Sequence, residues 1–465
     1  MAEADLRSDG GDRLLAWLAQ ALVEECQARQ APHDVRRLAA EALEAAASFQ
    51  GDLALSAWRH GWRLYARAGG GLAEWLNRGA SIARNYATMD EFWADAALQS
   101  SGESPFTFWD VYEHGSRRQL ETQLAALYSS ESSLLLNCGM SALAVAIDHG
   151  LASPKPVVVA PRRNYFETTE LLDLHAQRGV EIVRIDLQSA ESTAALAAVS
   201  PDVVLFEPVT NTFDATPARV APEWVTAAPR ALFICDNTVH GPTLRWQSWL
   251  GEFAPSARGR FVVAESLAKY ICNDAMAGVL YGDSSLIDRL RLRARASGQQ
   301  LQERAFNVLR RGDIAFARER ISLHRRNAAL FADALSELDT VIVRPDGAAP
   351  PGPGFVEGLL EPGGAGCLVF VQLTGENVSP AAHRSVLRRW HHEVHRLGGE
   401  LGIRAGFGWP TTSARVYEGT ALNQQDAPTY LRISAGLEPA STIRAYAGSL
   451  QRIIKEEIAL APVAS

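Results

Sequence analysis

Two short segments carry residues able to do covalent chemistry together. Ile234-Cys235-Asp236-Asn237-Thr238 ends one β-prone run, and Ala264-Glu265-Ser266-Leu267-Ala268-Lys269-Tyr270 ends another, with Lys269 33 residues after Asp236. A lysine amine condenses with a carbonyl and, once released, shuttles protons between carbons. An aspartate keeps a heterocyclic nitrogen protonated, so that the ring accepts electrons from a carbanion. An acid at one strand end and a lysine after another converge above a sheet. Pyridoxal 5'-phosphate (PLP) needs that arrangement, with Lys269 holding it as a Schiff base. Taken singly, each residue has a commoner explanation: a surface lysine, and an Asp capping a turn.

A third segment, Asn137-Cys138-Gly139-Met140-Ser141-Ala142, reads as a turn opening a helix. Free backbone N–H groups and the helix dipole suit a phosphate there, with Gly139 and Met140 supplying the amides. A competing constellation is His391-His392-Glu393-Val394-His395, whose outer histidines lie one helical turn apart. It lacks the HExxH order and a third ligand, so it reads as the polar face of an amphipathic helix and no metal is expected.

Together these segments resemble the Cys/Met-metabolism family of PLP enzymes, which includes cystathionine γ-synthase, cystathionine lyases and methionine γ-lyase. The family's Asp-Asn-Thr is similar to Asp236-Asn237-Thr238, and its Ser-x-Thr-Lys-Tyr to Ser266-Leu267-Ala268-Lys269-Tyr270. The resemblance implies Lys269 as the Schiff-base residue, Asp236 as partner of the pyridine nitrogen, and Ser266 on the phosphate. Leu120-Glu121 through Leu127, followed by Gly139-Met140-Ser141-Ala142, resembles another family segment. Tyr165 sits where the family places a Tyr that stacks on the cofactor ring, and Asn211 where an Asn meets the ring oxygen. Leu431-Arg432-Ile433-Ser434 through Glu438 is similar to the segment whose Arg grips the substrate α-carboxylate, which implies that role for Arg432. The helix around Arg320, His324, Asn327 and Ala328 follows the family pattern for structural reasons.

The resemblance runs from roughly 110 to 455 and implies an α/β, fold type I (aspartate-aminotransferase-like) PLP enzyme. The reaction implied is γ- (or β-) elimination or replacement on an amino acid, by a cytoplasmic homodimer or homotetramer. An aminotransferase and a non-catalytic scaffold on the same fold are the alternatives. Four departures stand out. Tyr112-Glu113-His114 matches poorly the Tyr-x-Arg that a neighbouring subunit lends to the phosphate, so Tyr112 is a candidate with His114 in place of the arginine. Ala268 replaces a Thr. Phe166 and Glu167 replace the small residues after the stacking Tyr, an acidic or bulky wall that alters which substrate side chain fits. Phe407-Gly408-Trp409-Pro410-Thr411-Thr412-Ser413 replaces Ser-Leu-Gly-Gly without a residue-by-residue match.

The elements that position these residues follow from periodicity. Residues 1–104 read as a helical N-terminal extension: Leu14, Leu15, Leu18, Ala19 and Leu22 recur at helical spacing, as do Val35, Leu38, Ala42 and Ala45. Trp17, Trp58, Trp62, Trp75 and Trp93 in this part read as a packing face for docking or oligomer contacts, and Gly69-Gly70-Gly71 as a break between two helices. Residues 105–300 alternate short β-prone runs (157–159, 182–183, 203–206, 232–234 and 261–263) with helical patterns, which predicts a mostly parallel sheet covered on both faces. Ligands in such sheets bind at the carboxyl ends of the strands. Residues 301–465 read as an interdomain helix, a Pro/Gly-rich loop from Arg344 to Gly366, and a small α+β domain with strands at 367–373 and 429–434 and a helix from Pro380 to Leu397.

Composition bounds the rest. The 465 residues carry a formal net charge of -8, which argues against a dedicated nucleic-acid binder; the run Arg289, Arg291, Arg293, Arg295 reads as a solvated helix face. Five scattered cysteines, Cys26, Cys138, Cys235, Cys272 and Cys367, suggest neither a disulfide framework nor a zinc site. The opening MAEADLRSDGGD has no apolar core of a signal peptide, and no apolar run is long enough for a membrane span.

Overall fold

The computed structural model describes residues 10–48, 54–79, 115–162, 164–187, 189, 191–208, 223–244, 250, 255–339, 341–345, 366–374, 378–403, 406–418 and 428–460. Tyr112, His114, Trp93, Asn211 and most of the Pro/Gly-rich loop fall outside them.

Runs that are apolar on both faces become the middle of a sheet. Strands β1 (Ser132–Leu136), β2 (Val157–Pro161), β3 (Glu181–Ile185), β4 (Val203–Phe206), β5 (Leu232–Asp236), β6 (Phe261–Ser266) and β7 (Gly278–Gly282) form one seven-stranded sheet in the order β1-β7-β6-β5-β4-β2-β3. The four bonds that join β2 to β6 and β3 are parallel, and β7 runs antiparallel between β1 and β6. All five runs expected to be strands lie in this sheet; β1 and β7 were not anticipated. Helix α4 (Gly115–Leu127) packs on one face, while α5 (Gly139–Gly150) and α7 (Ser284–Ala296) pack on the other, and α6 (Phe166–Gln177) follows β2. Two apolar clusters therefore sandwich the sheet, as strands buried on both sides require.

The second sheet is antiparallel, in the order β10-β11-β9-β8, from β8 (Val341–Pro345), β9 (Leu368–Leu373), β10 (Ser413–Tyr417) and β11 (Tyr430–Ser434). Helices α8 (Ala317–Ser336), α9 (Pro380–Arg396) and α10 (Ala440–Leu460) share its core through Phe331, Trp390 and Tyr446. The stretch expected to be one interdomain helix is broken: short helices at Glu303–Phe306 and Arg311–Ala315 precede α8.

The extension is three helices, α1 (Gly10–Ala28), α2 (His33–Ala47) and α3 (Ala54–Gly79). Their apolar faces form one cluster that takes in Leu323 and Leu437, and Trp17 stacks on Phe316 at 5.6 Å between ring centroids. Two sequence expectations are corrected. Helix α3 runs through Gly69–Gly71 without a break. A Cβ at Gly69 would collide with the Arg310 guanidinium, and one at Gly71 would touch Val35, so these glycines allow close approach rather than a turn. Arg291 is buried, unlike Arg289, Arg293 and Arg295. Its guanidinium donates to both carboxylate oxygens of Glu121, at 3.1 and 2.8 Å, and to the Ser133 carbonyl at 3.0 Å. Among the described residues no helix is long and apolar enough to cross a membrane.

Candidate active site

The residues singled out by chemistry gather along the carboxyl edge of the parallel strands. Asp236 is the last residue of β5, Ser266 the last of β6, and Lys269 follows in the turn after it. Glu207 follows β4, and Tyr165 lies between β2 and α6. Each parallel strand delivers its next residue to the same edge, so a motif after a strand becomes part of one cleft.

The phosphate end is built by close approach. Cys138 caps α5, its sulfur accepting from the Ser141 N–H at 3.3 Å. The amides of Gly139 and Met140 precede the first intrahelical bond, which Ala142 makes to the Cys138 carbonyl. A Cβ on Gly139 would lie 2.8 Å from Ser266 Cβ, so only glycine lets the helix start reach the end of β6. Two amides at a positive helix end therefore stand beside the Ser266 hydroxyl, a donor set that fits a phosphate. Thr238 ties this end to the acid: its hydroxyl accepts from the Ser266 N–H at 3.1 Å, and its N–H donates to Asp236 Oδ1 at 3.0 Å.

Electrostatics bind the rest together. Burial raises the Asp236 carboxyl above its usual range, opposed by the Thr238 hydrogen bonds and the Lys269 charge. Burial, and then the Arg432 charge, lowers the Lys269 ammonium below the ordinary lysine range, opposed by Glu167, Cys367 and Asp236. Burial also raises the Tyr165 hydroxyl, as do Glu167, to which it donates a hydrogen bond, and then Asp236 and Tyr417. The Tyr165 N–H donates to Glu207 at 2.7 Å. Arg432 is buried on β11, its guanidinium carbon 4.6 Å from the centre of the Tyr417 ring. The structure thus brings Tyr165, Asp236, Ser266, Lys269, Gly139 and Met140 to one edge, with Arg432 of the second sheet within electrostatic reach of Lys269. Asn211 and Tyr112 lie outside the described residues.

Sequence reasoning missed three contributions. Tyr417 enters from β10, whose strand pattern was not read. Glu167, seen only as a wall, interacts with both Tyr165 and Lys269. The unmatched segment folds over the lysine: Gly408 has φ +75°, leaves no room for a Cβ against the Lys269 carbonyl, and sets the Phe407 ring 5.2 Å from Lys269 Nζ. The outer histidines His391 and His395 are exposed, and Glu393 between them pairs with Arg396 and Arg452.

Residues 92–343, more than half of the chain, match the family profile described as Cys/Met metabolism PLP-dependent enzyme. L-methionine gamma-lyase of Pseudomonas putida is 27% identical over 244 residues, 51% of this chain and 58% of that protein, so the match spans little more than half the relative's length. Among solved structures, cystathionine gamma synthase from Xanthomonas oryzae pv. oryzae, in complex with aminoacrylate and cysteine, has a TM-score of 0.62 at 21% identity, over 75% of this chain and 87% of that one. A methionine gamma lyase from Micromonospora echinospora has a TM-score of 0.58 at 23% identity, over 73% and 87% of the two chains. The shared architecture is that of fold type I PLP enzymes, as expected from the motifs.

Proposed function

The chain belongs to the Cys/Met-metabolism PLP-dependent enzymes, and from that premise we propose that it catalyses γ- (or β-) elimination or replacement on an amino acid. The observation that carries this reading is that Asp236 at the end of β5 and Arg432 on β11 both lie within electrostatic reach of Lys269, just past β6. Lys269, Asp236, the Gly139 and Met140 amides, Ser266 and the Tyr165 ring would hold PLP, which when bound supplies an electron-accepting ring. Arg432 binds the substrate carboxylate with its planar fork. Lys269 Nζ, whose charged form is disfavoured by burial and by Arg432, takes the proton from the substrate α-carbon and can return it to a neighbouring carbon. Phe407 and Gly408 pack against the lysine and its carbonyl.

Glu167 bears on the choice of substrate. A carboxylate beside Tyr165 and Lys269 disfavours an anionic substituent and favours one that is neutral or donates hydrogen bonds. We extend the proposal to a homodimer or homotetramer in a reducing cytoplasm; the five free cysteines favour such a compartment.

The test is spectroscopic and then catalytic. The purified chain with added PLP is expected to show a visible absorption band, and borohydride followed by peptide mapping is expected to find the phosphopyridoxyl mass on Lys269. Lys269→Ala is expected to lose that adduct and about 10³-fold in activity. Release of a keto acid and ammonia from γ-substituted amino acids, without a keto-acid acceptor, supports elimination. A strict need for such an acceptor would replace the reading with transamination, and absence of any adduct would overturn it.

A further inference from the structure

The extension lies ahead of the family match, yet one face of it turns toward the loop that carries the lysine. On α3, Trp58, Trp62 and Ala66 recur at helical spacing, with Arg59 and Arg63 beside them. These residues form one wall of a cavity of about 300 Å³, at the lower end of the range for small-molecule sites. The opposite wall comes from the family fold: Asn273 and Asp274 just past Lys269, Arg310 and Arg320, and Trp409 to Thr411.

The polar groups of this cavity are unevenly satisfied. Arg59 and Arg63 both pair with Glu400, and Arg310 pairs with Asp274 and Asp313. Arg320 is buried, and its hydrogen bonds go to neutral oxygens: the Asn273 side-chain oxygen, and the Gly408 carbonyl at 3.1 Å. Its Nε has no hydrogen-bond partner, and neither have the buried indole N–H groups of Trp58 and Trp62. Buried donors of this kind are costly until an acceptor meets them. The guanidinium carbon of Arg320 lies 6.0 Å from the centre of the Trp62 ring, so charge and aromatic surface are presented together.

We propose that this cavity binds a small organic anion with an apolar or aromatic body, a carboxylate being the simplest case, and that its occupancy is transmitted to Lys269. These donor atoms lie beneath the cavity surface, so the anion would take the Arg320 and indole donors as the wall yields to it, and its body would lie against Trp58, Trp62 and Trp409. The link inward is short. Asn273 accepts from Arg320, and its side-chain N–H₂ donates to the carbonyls of Ala268 at 3.2 Å and Lys269 at 2.8 Å. A ligand that draws Arg320 from Asn273 and Gly408 shifts the backbone on both sides of the lysine.

The experiment is calorimetric titration of the PLP-loaded full chain with phenylacetate, with its neutral analogue phenylacetamide as control. Phenylacetate is expected to bind, to bind equally to Arg432→Ala, and to shift the visible band of the cofactor. Trp62→Leu, which removes an aromatic wall, and Ala66→Phe, which fills the cavity from an exposed position of α3, are each expected to weaken binding by about tenfold or more. Should Trp62→Leu fail to fold, Ala66→Phe carries the test. No binding of phenylacetate, equal binding of phenylacetamide, loss of binding in Arg432→Ala, or indifference to Ala66→Phe overturns the site. Binding with an unmoved visible band overturns the link to Lys269. Binding without turnover is measured, so the result is independent of the reaction proposed above.

Discussion

Glu167 shows how much one side chain can change a shared catalytic cleft. It stands in the first turn of α6, accepts a hydrogen bond from the Tyr165 hydroxyl, and stabilises the charged form of Lys269, as Cys367 and Asp236 also do, against burial and Arg432. Removing its charge leaves the Lys269 ammonium less favoured, so the amine persists to lower pH. Glu167→Gln is therefore expected to move the acid limb of the kcat/KM profile to lower pH, and to improve the relative rate on substrates with an anionic substituent. An acid limb that stays in place or moves upward would mean that Glu167 does not act on the lysine. A purely structural role would change the height of the profile and not its position.

Two elements illustrate how position is enforced. Helix α7 is pinned to the sheet by the buried Arg291–Glu121 pair, and the Leu135 N–H donates to the same carboxylate at 3.0 Å. Arg291→Ala leaves that carboxylate buried without its counter-charge and is expected to cost about 3–5 kcal/mol in denaturant unfolding. The double variant Arg291→Met with Glu121→Leu is expected to recover part of that loss, because no charge remains to be solvated. The second element is the segment over the lysine. Gly408→Ala forces a side chain into φ +75° against the Lys269 carbonyl. The expected outcome is a loss of about 1–2 kcal/mol from the backbone alone, together with a displaced visible band of the PLP-loaded protein. An unchanged band would show that this segment does not position Lys269.

The stability of the whole molecule should carry the mark of two buried carboxyls. Burial raises Glu265 to about 8, although Tyr128 donates to it at 2.7 Å and Asn237 at 3.2 Å. Burial raises Glu438 to about 7, against hydrogen bonds from Thr412. Both begin from an ordinary value of 4.5. Between 4.5 and these raised values the folded chain binds more protons than the unfolded one, so each contribution is full at low pH and is lost as pH rises through the folded pKa. Denaturant midpoints are expected to fall from about pH 6.5 to pH 8 on this account; at lower pH the buried His240 and His324, which burial lowers from 6.5 to about 3, give the opposite slope. Glu265→Gln, which has no proton to lose, is expected to flatten that slope; an unaltered slope would assign it to other groups.

The motifs after the strands were legible because a strand is a short, strongly patterned element whose end leads to a known edge. The β-prone runs sent Asp236, Ser266 and Lys269 to one edge of the sheet, whereas the helix start at Gly139 was legible as a helix opening and by its family resemblance, and only the fold shows β1 carrying it to the same edge. Arg432 was legible only through the family resemblance, because an Arg in a strand by itself reads as half-exposed packing. What local pattern could not decide was which distant surfaces meet. The unbroken helix through Gly69–Gly71 depends on Arg310, more than two hundred residues away, which needs the space that a side chain would fill. Arg291 reads as solvated until β1 and α4 arrange Glu121 and Ser133 around it. Tyr417 and the Phe407–Gly408 cover belong to segments without a clear pattern, so only tertiary packing brings Tyr417 to Arg432 and the cover to Lys269. Spacing along the chain determined the elements and the edge at which chemistry gathers; tertiary structure alone decided the contacts across elements, because burial and close approach depend on partners that no local window contains.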